Sequence, residues 1–274
     1  MEIEFKDVTF GYPGGHTVLK DINLKIAGPG LVCIIGSNGV GKSTLVKMIN
    51  KLLHPTKGTV FIDGKDTAGM TQRESAEYVG FVPAGSMDIF SMSVIDTVLI
   101  GRHNKSKWKT SKHDLDVVYK VLDMLDLKDL AMRGFNELSA GQHQKVALAR
   151  GLAMETPALI LDEPTSNLDV KHQVYVTELL RAIAIQQNKL IIMICHDLNI
   201  AARYSHNIIV LKRPGMVYKV GVPAEVMTEE TIKSVYGIDC EVIEYDESPH
   251  VILKSAFDDI DDELLAEAAQ EAES

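Results

Sequence analysis

One nine-residue segment has the residue types and the spacing that bind phosphate groups. Residues 36–44 read GSNGVGKST and follow a short apolar run. Glycines let backbone N–H groups surround a phosphate without a Cβ in the way. A lysine at this spacing reaches the β- and γ-phosphates, and the next hydroxyl binds Mg²⁺. The residues predicted to hold a nucleotide here are Ser37, Asn38, Gly39, Gly41, Lys42, Ser43 and Thr44, with Ser43 also a ligand for Mg²⁺.

A pair of carboxylates follows a second apolar run. Residues 158–164 read ALILDEP, so Asp162 and Glu163 stand at the end of a predicted buried strand. Ligands of open α/β sheets bind at the carboxyl ends of the strands. We therefore predict that Asp162 holds Mg²⁺ through water and that Glu163 is the general base for an attacking water. Alone, such a pair fits a solvated strand end equally well; the phosphate loop upstream favours the catalytic interpretation.

A third segment, LSAGQ at 138–142, precedes a predicted helix. Ser139 is a residue type that caps helices, and the N–H groups at a helix start bind anions. Ser139, Gly141 and Gln142 are therefore candidates for a second phosphate site. Locally the segment is a capped helix, and its functional interpretation depends on the first phosphate site in the same chain.

The elements that position these residues are predicted from hydrophobic patterning. Short apolar runs separated by helix-length segments indicate a parallel sheet covered by helices on both faces. These runs lie at 31–35, 78–82, 159–161, 190–195 and 208–211. Residues 3–10 and 22–26 alternate instead, which predicts an antiparallel sheet that includes 60–62. From about residue 86 to 155 the spacing is helical, which predicts an inserted helical subdomain.

Composition excludes several classes of protein. Of 274 residues, 46% are hydrophobic and 24% charged, which is ordinary for a globular protein rather than a disordered or fibrous one. The longest apolar run, 190–195, is far shorter than the roughly 20 residues of a membrane-spanning helix. The N-terminus has no signal-peptide pattern. Three cysteines, Cys33, Cys195 and Cys240, are predicted to be buried free thiols in a reducing compartment.

The net charge of −10 is concentrated at the C-terminus. Residues 256–274 hold eight acidic residues and no basic one, so the rest of the chain is almost neutral and no nucleic-acid partner is expected. We predict a mobile tail; the alternative is an amphipathic helix, because Phe257, Ile260, Leu264, Leu265 and Ala268 have helical spacing. The basic segment 102–112 is predicted to be a solvated loop, with contact to lipid or nucleic acid as the alternative.

Together these motifs resemble the ATP-binding subunit of ABC transporters over about residues 1–245. The resemblance implies an α/β fold with a P-loop NTPase core of ABC ATPase type, an N-terminal antiparallel β subdomain and an inserted helical subdomain at about 86–155. It implies ATP and Mg²⁺ as cofactors and catalysis by Lys42, Glu163 and His196. By the same resemblance Tyr12 stacks on adenine, His196 contacts the γ-phosphate and Asp169 crosses to a partner subunit. Residues 246–255 would be a C-terminal extension.

The resemblance also implies partners. Two copies would associate head to tail, with the Ser139 loop of one closing over ATP held by the other. Two integral membrane permease subunits and, indirectly, a substrate-binding protein would complete an importer at the cytoplasmic face of the membrane. Residues 101–102, 196–204 and 221–239 are similar to importers of iron chelates, haem and cobalamin. They do not identify the ligand, because this subunit does not contact it.

Two positions depart from the family pattern. Ala84 stands where the family has glutamine, which predicts slow basal hydrolysis unless Ser86 or another polar group substitutes. Ala140 replaces a glycine, with little expected consequence. The alternatives to a transport ATPase are a clamp that binds ATP without hydrolysing it, which Glu163 and His196 oppose, and a soluble ABC ATPase. The long coiled-coil insertion or second cassette typical of such soluble members is not found in this chain.

Overall fold

Strands and helices alternate along most of the chain. The computed structural model describes residues 1–85, 92–103, 105 and 110–254. The strands are β1 (Glu2–Gly11), β2 (Thr17–Ala27), β3 (Gly30–Ile35), β4 (Lys57–Ile62), β5 (Lys65–Asp66), β6 (Val79–Val82), β7 (Ala158–Asp162), β8 (Leu190–Ile194), β9 (Asn207–Lys212), β10 (Met216–Gly221), β11 (Cys240–Tyr245) and β12 (Ser248–Leu253). The helices are α1 (Lys42–Ile49), α2 (Gln72–Tyr78), α3 (Val94–Leu99), α4 (Lys112–Met124), α5 (Ala140–Ala153), α6 (Val170–Gln186), α7 (Leu198–Tyr204), α8 (Pro223–Val226) and α9 (Glu229–Tyr236).

The central sheet has the strand order β10-β9-β3-β8-β7-β6. Five of these strands run parallel, and β10 pairs antiparallel with β9 at one edge. Neighbouring residues of β3 face opposite sides, since Cys33 packs among the helices and Ile34 packs under the antiparallel sheet. Both faces are thus buried, which explains the uninterrupted apolar runs. The predicted parallel sheet is confirmed.

The N-terminal sheet has the order β2-β1-β4-β5 and is antiparallel throughout. Ile3 and Phe5 are buried against the central sheet, whereas Lys6 is exposed. This one-sided burial is what the alternating pattern predicts, and β4 includes the predicted residues 60–62. The antiparallel β subdomain is therefore confirmed.

The segment between β6 and β7 is helical. Within the described part of this segment, α3, α4 and α5 pack on one another and no strand occurs. The basic segment 102–112 is not solvated throughout, which corrects the prediction. Arg102 is buried, with Nε 2.9 Å from Asp114 Oδ1 and Nη1 2.6 Å from Glu155 Oε2. Two carboxylates offset the cost of burying this charge. Residues 104 and 106–109 lie outside the description.

Strands β11 and β12 form a hairpin with its turn at Asp246 and Glu247. Asn199 of α7 bonds both ways with Val251 of β12: Val251 N donates to Asn199 Oδ1 at 2.8 Å, and Asn199 Nδ2 donates to Val251 O at 3.2 Å. The predicted boundary after residue 245 therefore falls inside a hairpin fixed to the body. The predicted acidic tail, 256–274, lies outside the described residues.

All three cysteines are buried and free, as predicted. Among the described helices, none combines the length and the apolar character needed to span a bilayer.

Candidate nucleotide-binding and catalytic site

The predicted phosphate loop joins the end of β3 to the start of α1. Two of its glycines are required by close contacts: a Cβ on Gly36 would lie 2.5 Å from Leu211 O, and one on Gly41 would lie 2.8 Å from Leu19 Cδ2. Gly41 also has a φ of 105°, which favours glycine. No side chain caps α1, so its first N–H groups are available to an anion.

The Lys42 ammonium group lies within this loop. Its Nζ donates to Gly36 O at 2.7 Å and to Ser37 O at 3.2 Å. Burial lowers the pKa of Lys42, and the charges of Glu163 and Asp162 partly counter that effect. A buried cation that hydrogen-bonds to neutral carbonyls attracts an anion such as a phosphate.

Ser43 and Asp162 meet at the carboxyl end of β7. Ser43 Oγ donates to Asp162 Oδ1 at 3.2 Å. Burial is the main cause that raises the pKa of Asp162, Glu163 raises it further, and the Ser43 hydrogen bond lowers it. A hydroxyl and a carboxylate held together are the hard oxygen ligands that Mg²⁺ uses beside nucleotide phosphates. The residues present therefore fit this metal, and a cation would favour the ionised form of Asp162.

Glu163 and His196 are in direct contact. Glu163 Oε1 lies 2.6 Å from His196 Nε2, and both side chains are partly exposed to solvent. Glu163 has a φ of 53°, so the chain turns sharply after β7. Gln144 of α5 donates to the Glu163 carbonyl at 3.3 Å, which ties that turn to the helical subdomain.

These groups open into one pocket of about 660 Å³. Its lining residues are Tyr12, Val18, Asn38, Gly39, Gly41, Lys42, Ser43, Thr44, Glu163 and His196. The Tyr12 ring packs edge-on against Phe10 at 5.0 Å, and its hydroxyl lies 3.4 Å from Thr44 Oγ1. Tyr12 is 45% exposed, so part of its side chain is accessible to a planar ligand. Asp162 and Ser37 do not line the pocket themselves. Asp162 accepts a hydrogen bond from the lining residue Ser43, and Ser37 O accepts one from Lys42.

The Ser139 segment lies on a different pocket of about 400 Å³, which shares no lining residue with the first. Ser139 caps α5 as predicted: its Oγ accepts from Gln142 N, and Gln142 Oε1 accepts from Ser139 N at 2.9 Å. Gly141 and Asp169 line the same pocket. Asp169 caps α6, and hydrogen bonds from His172 hold the pKa of Asp169 below its usual value.

Sequence reasoning missed three residues around the nucleotide pocket. Val18 lines the pocket beside Tyr12, Gln144 holds the Glu163 carbonyl, and Arg213 Nη2 donates to Asn38 O at 3.3 Å. Gln144 and Arg213 are distant in the chain from their partners, so no local pattern identifies them. Ala84 follows β6 and is exposed, while Ser86 lies outside the described residues.

Comparison with known proteins identifies the family. Residues 19–166 match the ABC transporter family profile. An ABC transporter ATP-binding protein of Methanocaldococcus jannaschii is 43% identical, over 88% of this chain and 94% of that protein. The siderophore transport ATP-binding protein YusV of Bacillus subtilis is 34% identical, over 88% of this chain and 87% of that protein. The cobalamin import ATP-binding protein BtuD of Halobacterium salinarum is 35% identical, over 81% of this chain and 56% of that protein.

Solved structures agree with that assignment. An inward-facing ABC transporter of metal-chelate type superposes with a TM-score of 0.77 at 28% identity, covering 92% of this chain and 96% of that one. A dimeric ATP-binding cassette bound to ADP and phosphate superposes with a TM-score of 0.73 at 30% identity, covering 81% of this chain and 98% of that one. The chain belongs to the ABC transporter family, as an ATP-binding subunit of ABC ATPase fold. Its enzymatic activity is the hydrolysis of ATP.

Proposed function

We propose that this chain is the ATP-hydrolysing subunit of an importer for a metal chelate, namely an iron chelate, haem or cobalamin. The observation that carries the ATP-hydrolysing part of the proposal is the arrangement of Lys42, Glu163 and His196 around one pocket beside the Ser43–Asp162 pair. The names of the siderophore and cobalamin relatives support the direction and class of transport. On this proposal the chain lies at the cytoplasmic face of the membrane.

The residue roles follow from charge and position. Lys42 and the N–H groups of the loop bind the β- and γ-phosphates, and the exposed part of Tyr12 receives the adenine. Ser43 and Asp162 hold Mg²⁺, which would supply charge neutralisation at the phosphates when bound. Glu163 accepts a proton from the attacking water. His196 holds the Glu163 carboxylate in one orientation and offers a hydrogen bond to the γ-phosphate.

We further propose a head-to-tail homodimer. The two anion-binding pockets share no lining residue, so Ser139 of one chain does not line the pocket that holds Lys42. A second copy brings its Ser139, Gly141, Gln142 and Asp169 to the first copy's phosphate pocket, and the likeness to a dimeric cassette supports this arrangement. The other partners would be two integral membrane permease subunits and, through them, a substrate-binding protein.

An uptake assay tests the transport proposal. In cells from which the gene has been deleted, uptake of radiolabelled iron siderophore, haem and cobalamin is measured before and after complementation. The intact chain is expected to restore uptake of one ligand, and Lys42→Ala, which loses phosphate binding, is expected to restore none. Normal uptake of every ligand in the deletion strain, with ATPase activity present in the purified chain, would exclude this importer function.

An ATP-dependent clamp that hydrolyses ATP slowly and drives no transport is the second candidate, and Ala84 is the observation that favours it. A steady-state phosphate-release assay on the purified chain separates the two functions. Release that Glu163→Gln abolishes supports the transport ATPase, and release only slightly above background from the intact chain supports the slow clamp.

A further inference from the structure

The turn between β9 and β10 contacts the nucleotide site from outside the pocket. Gly215 N donates to Lys212 O at 2.9 Å and closes the turn, while Gly215 O accepts from Lys20 N of β2 at 2.9 Å. Gly215 has a φ of 90°, and a Cβ there would lie 1.7 Å from Val18 O. Only glycine fits so close to β2. The turn is therefore held against the strand that carries Val18 into the pocket wall.

From this fixed turn, Arg213 reaches the phosphate loop. Its Nη2 donates to Asn38 O at 3.3 Å, although Arg213 itself does not line the pocket. The Lys42 ammonium group takes the two preceding carbonyls, those of Gly36 and Ser37. Three consecutive carbonyls of the loop thus accept hydrogen bonds from two cationic side chains.

The planarity of the peptide group gives this contact a consequence for binding. In a trans peptide the C=O of one residue and the N–H of the next point in opposite directions. A guanidinium that holds the Asn38 carbonyl outward therefore turns the Gly39 N–H the other way. Asn38 and Gly39 both line the nucleotide pocket, and a Gly39 N–H opposite the Arg213 contact would face the region where a phosphate binds.

We propose that Arg213 is a positioning residue for ATP binding, acting through the Asn38–Gly39 peptide. It orients the Gly39 N–H toward the phosphates and does so from a turn that is fixed to the Val18 side of the pocket. Arg213 makes no contact with the nucleotide on this account. It contributes by holding the Asn38–Gly39 peptide in one orientation. Without that contact the peptide, and the Gly39 N–H with it, would rotate more freely because of the flexible glycine.

Affinity measurements on the full-length chain test the proposal. Arg213→Ala is expected to raise the Kd and KM for MgATP about three- to tenfold, the effect of losing one hydrogen bond, with kcat little changed. Arg213→Lys retains a charged donor and is expected to lose less affinity than Arg213→Ala. The control is Lys219→Ala, which removes a positive charge from β10 at a residue that donates no hydrogen bond to the described loop, 36–44; its Kd is expected to match the unmodified chain.

A spectroscopic measurement separates positioning from general stability. In ¹⁵N-glycine-labelled protein, the Gly39 amide resonance is expected to shift in Arg213→Ala and to respond less to added MgATP. Unchanged ATP affinity in Arg213→Ala would overturn the proposal. So would an equal loss in Lys219→Ala, which indicates a general charge effect, or a loss of affinity with the Gly39 resonance unmoved.

Discussion

The Glu163 carboxylate is fixed by three separate features. Its backbone adopts a left-handed conformation after β7, its carbonyl accepts from Gln144, and its Oε1 lies 2.6 Å from His196 Nε2. A non-glycine residue at positive φ is uncommon and costs free energy. The surrounding contacts offset that cost and hold the carboxylate in the pocket that also contains Lys42.

Glu163→Gln is expected to lower kcat by about 10²- to 10⁴-fold, because the amide does not accept the proton of the attacking water. Its shape is retained, so ATP binding is expected to persist and the closed dimer to accumulate. Size exclusion with MgATP measures the dimer, and phosphate release measures kcat. Glu178→Gln on the exposed face of α6 is the control. A monomer with nucleotide bound would contradict the dimer proposal.

Ala84 is the second residue with a clear kinetic prediction. A methyl group offers no oxygen to Mg²⁺ and no contact to a water, but Mg²⁺ commonly retains several waters of its own. Ala84→Gln is therefore expected to raise kcat while changing ATP affinity little, because orientation of the attacking water contributes to phosphoryl-transfer rates. Turnover at saturating ATP is compared in both proteins. An equal or lower rate in the variant would show that another group already fills this role.

His206 makes folding stability depend on pH. Its Nδ1 accepts from Leu31 N at 3.0 Å, and burial, with Arg181 nearby, lowers the pKa of His206. The unfolded chain therefore binds a proton at higher pH than the folded chain. The stabilisation is complete above the ordinary histidine pKa of about 6.5 and is lost as the pH falls through the lower, folded pKa.

Urea unfolding near pH 7.5 and pH 5.5 measures this dependence. His206→Asn offers Oδ1 as an acceptor that does not titrate in this range, so a smaller loss of stability at the lower pH is expected. His16→Asn, at an exposed histidine, is the control and should retain the loss of the unmodified chain. An equal loss in His206→Asn would show that other groups carry the dependence.

At the scale of elements, helix α5 begins with a capping box formed by Ser139 and Gln142. Ser139→Ala removes the cap and is expected to cost about 1 kcal/mol of unfolding free energy. Ser139→Asn keeps a good cap and should retain stability. If Ser139 also contacts ATP across the dimer, both variants lower ATPase activity. Full ATPase activity in Ser139→Asn would show that Ser139 acts only as the cap of α5 and does not contact ATP.

Sequence patterning predicted those elements whose burial is regular. β3 and β8 are apolar throughout because both faces of the central sheet are covered, and β1 alternates because one of its faces is exposed. The β11–β12 hairpin was missed, since its burial is irregular and its fixation depends on Asn199 of a different element.

The same distinction applies to the candidate site. The phosphate loop is contiguous in the chain, so residue types and spacing predict it. The buried position of Arg102 was not predictable from a basic segment, because the carboxylates that neutralise it come from α4 and from Glu155, the second residue after α5. Gln144 and Arg213 act on backbone carbonyls far away in the chain, and only the tertiary structure brings them there.

At the scale of the whole molecule, the predicted phosphate loop and the Ser139 segment line two separate pockets. The pocket that contains Lys42 and the pocket that contains Ser139 share no lining residue, although the β7–α6 connection contributes Glu163 to the first and Asp169 to the second. The α5 helix nevertheless connects them, since it begins at the Ser139 cap and its Gln144 holds the Glu163 carbonyl. A displacement of the helical subdomain would therefore act on the proposed catalytic carboxylate, Glu163, as well as on the proposed anion site at Ser139.

Strand β12 is the last element in the described part of the chain, and the acidic segment 256–274 follows it in the sequence. Lys254 N donates to Asp239 O at 2.9 Å, which is the last backbone hydrogen bond in the described part of the chain. Deletion of 256–274 removes eight acidic residues and no basic one, and it leaves every group of the two pockets in place. We expect unchanged unfolding free energy and unchanged ATPase activity, with a higher isoelectric point.

A longer deletion of 248–274 is the matched comparison. It removes β12 with Val251, which is buried and paired with Asn199, so a loss of stability of several kcal/mol or failure to fold is expected. Thermal unfolding and phosphate release are measured on both truncated chains. If the shorter deletion also abolishes hydrolysis while the protein remains folded, then residues 256–274 contact the catalytic body. In that case the tail is part of the enzyme and not a separable segment.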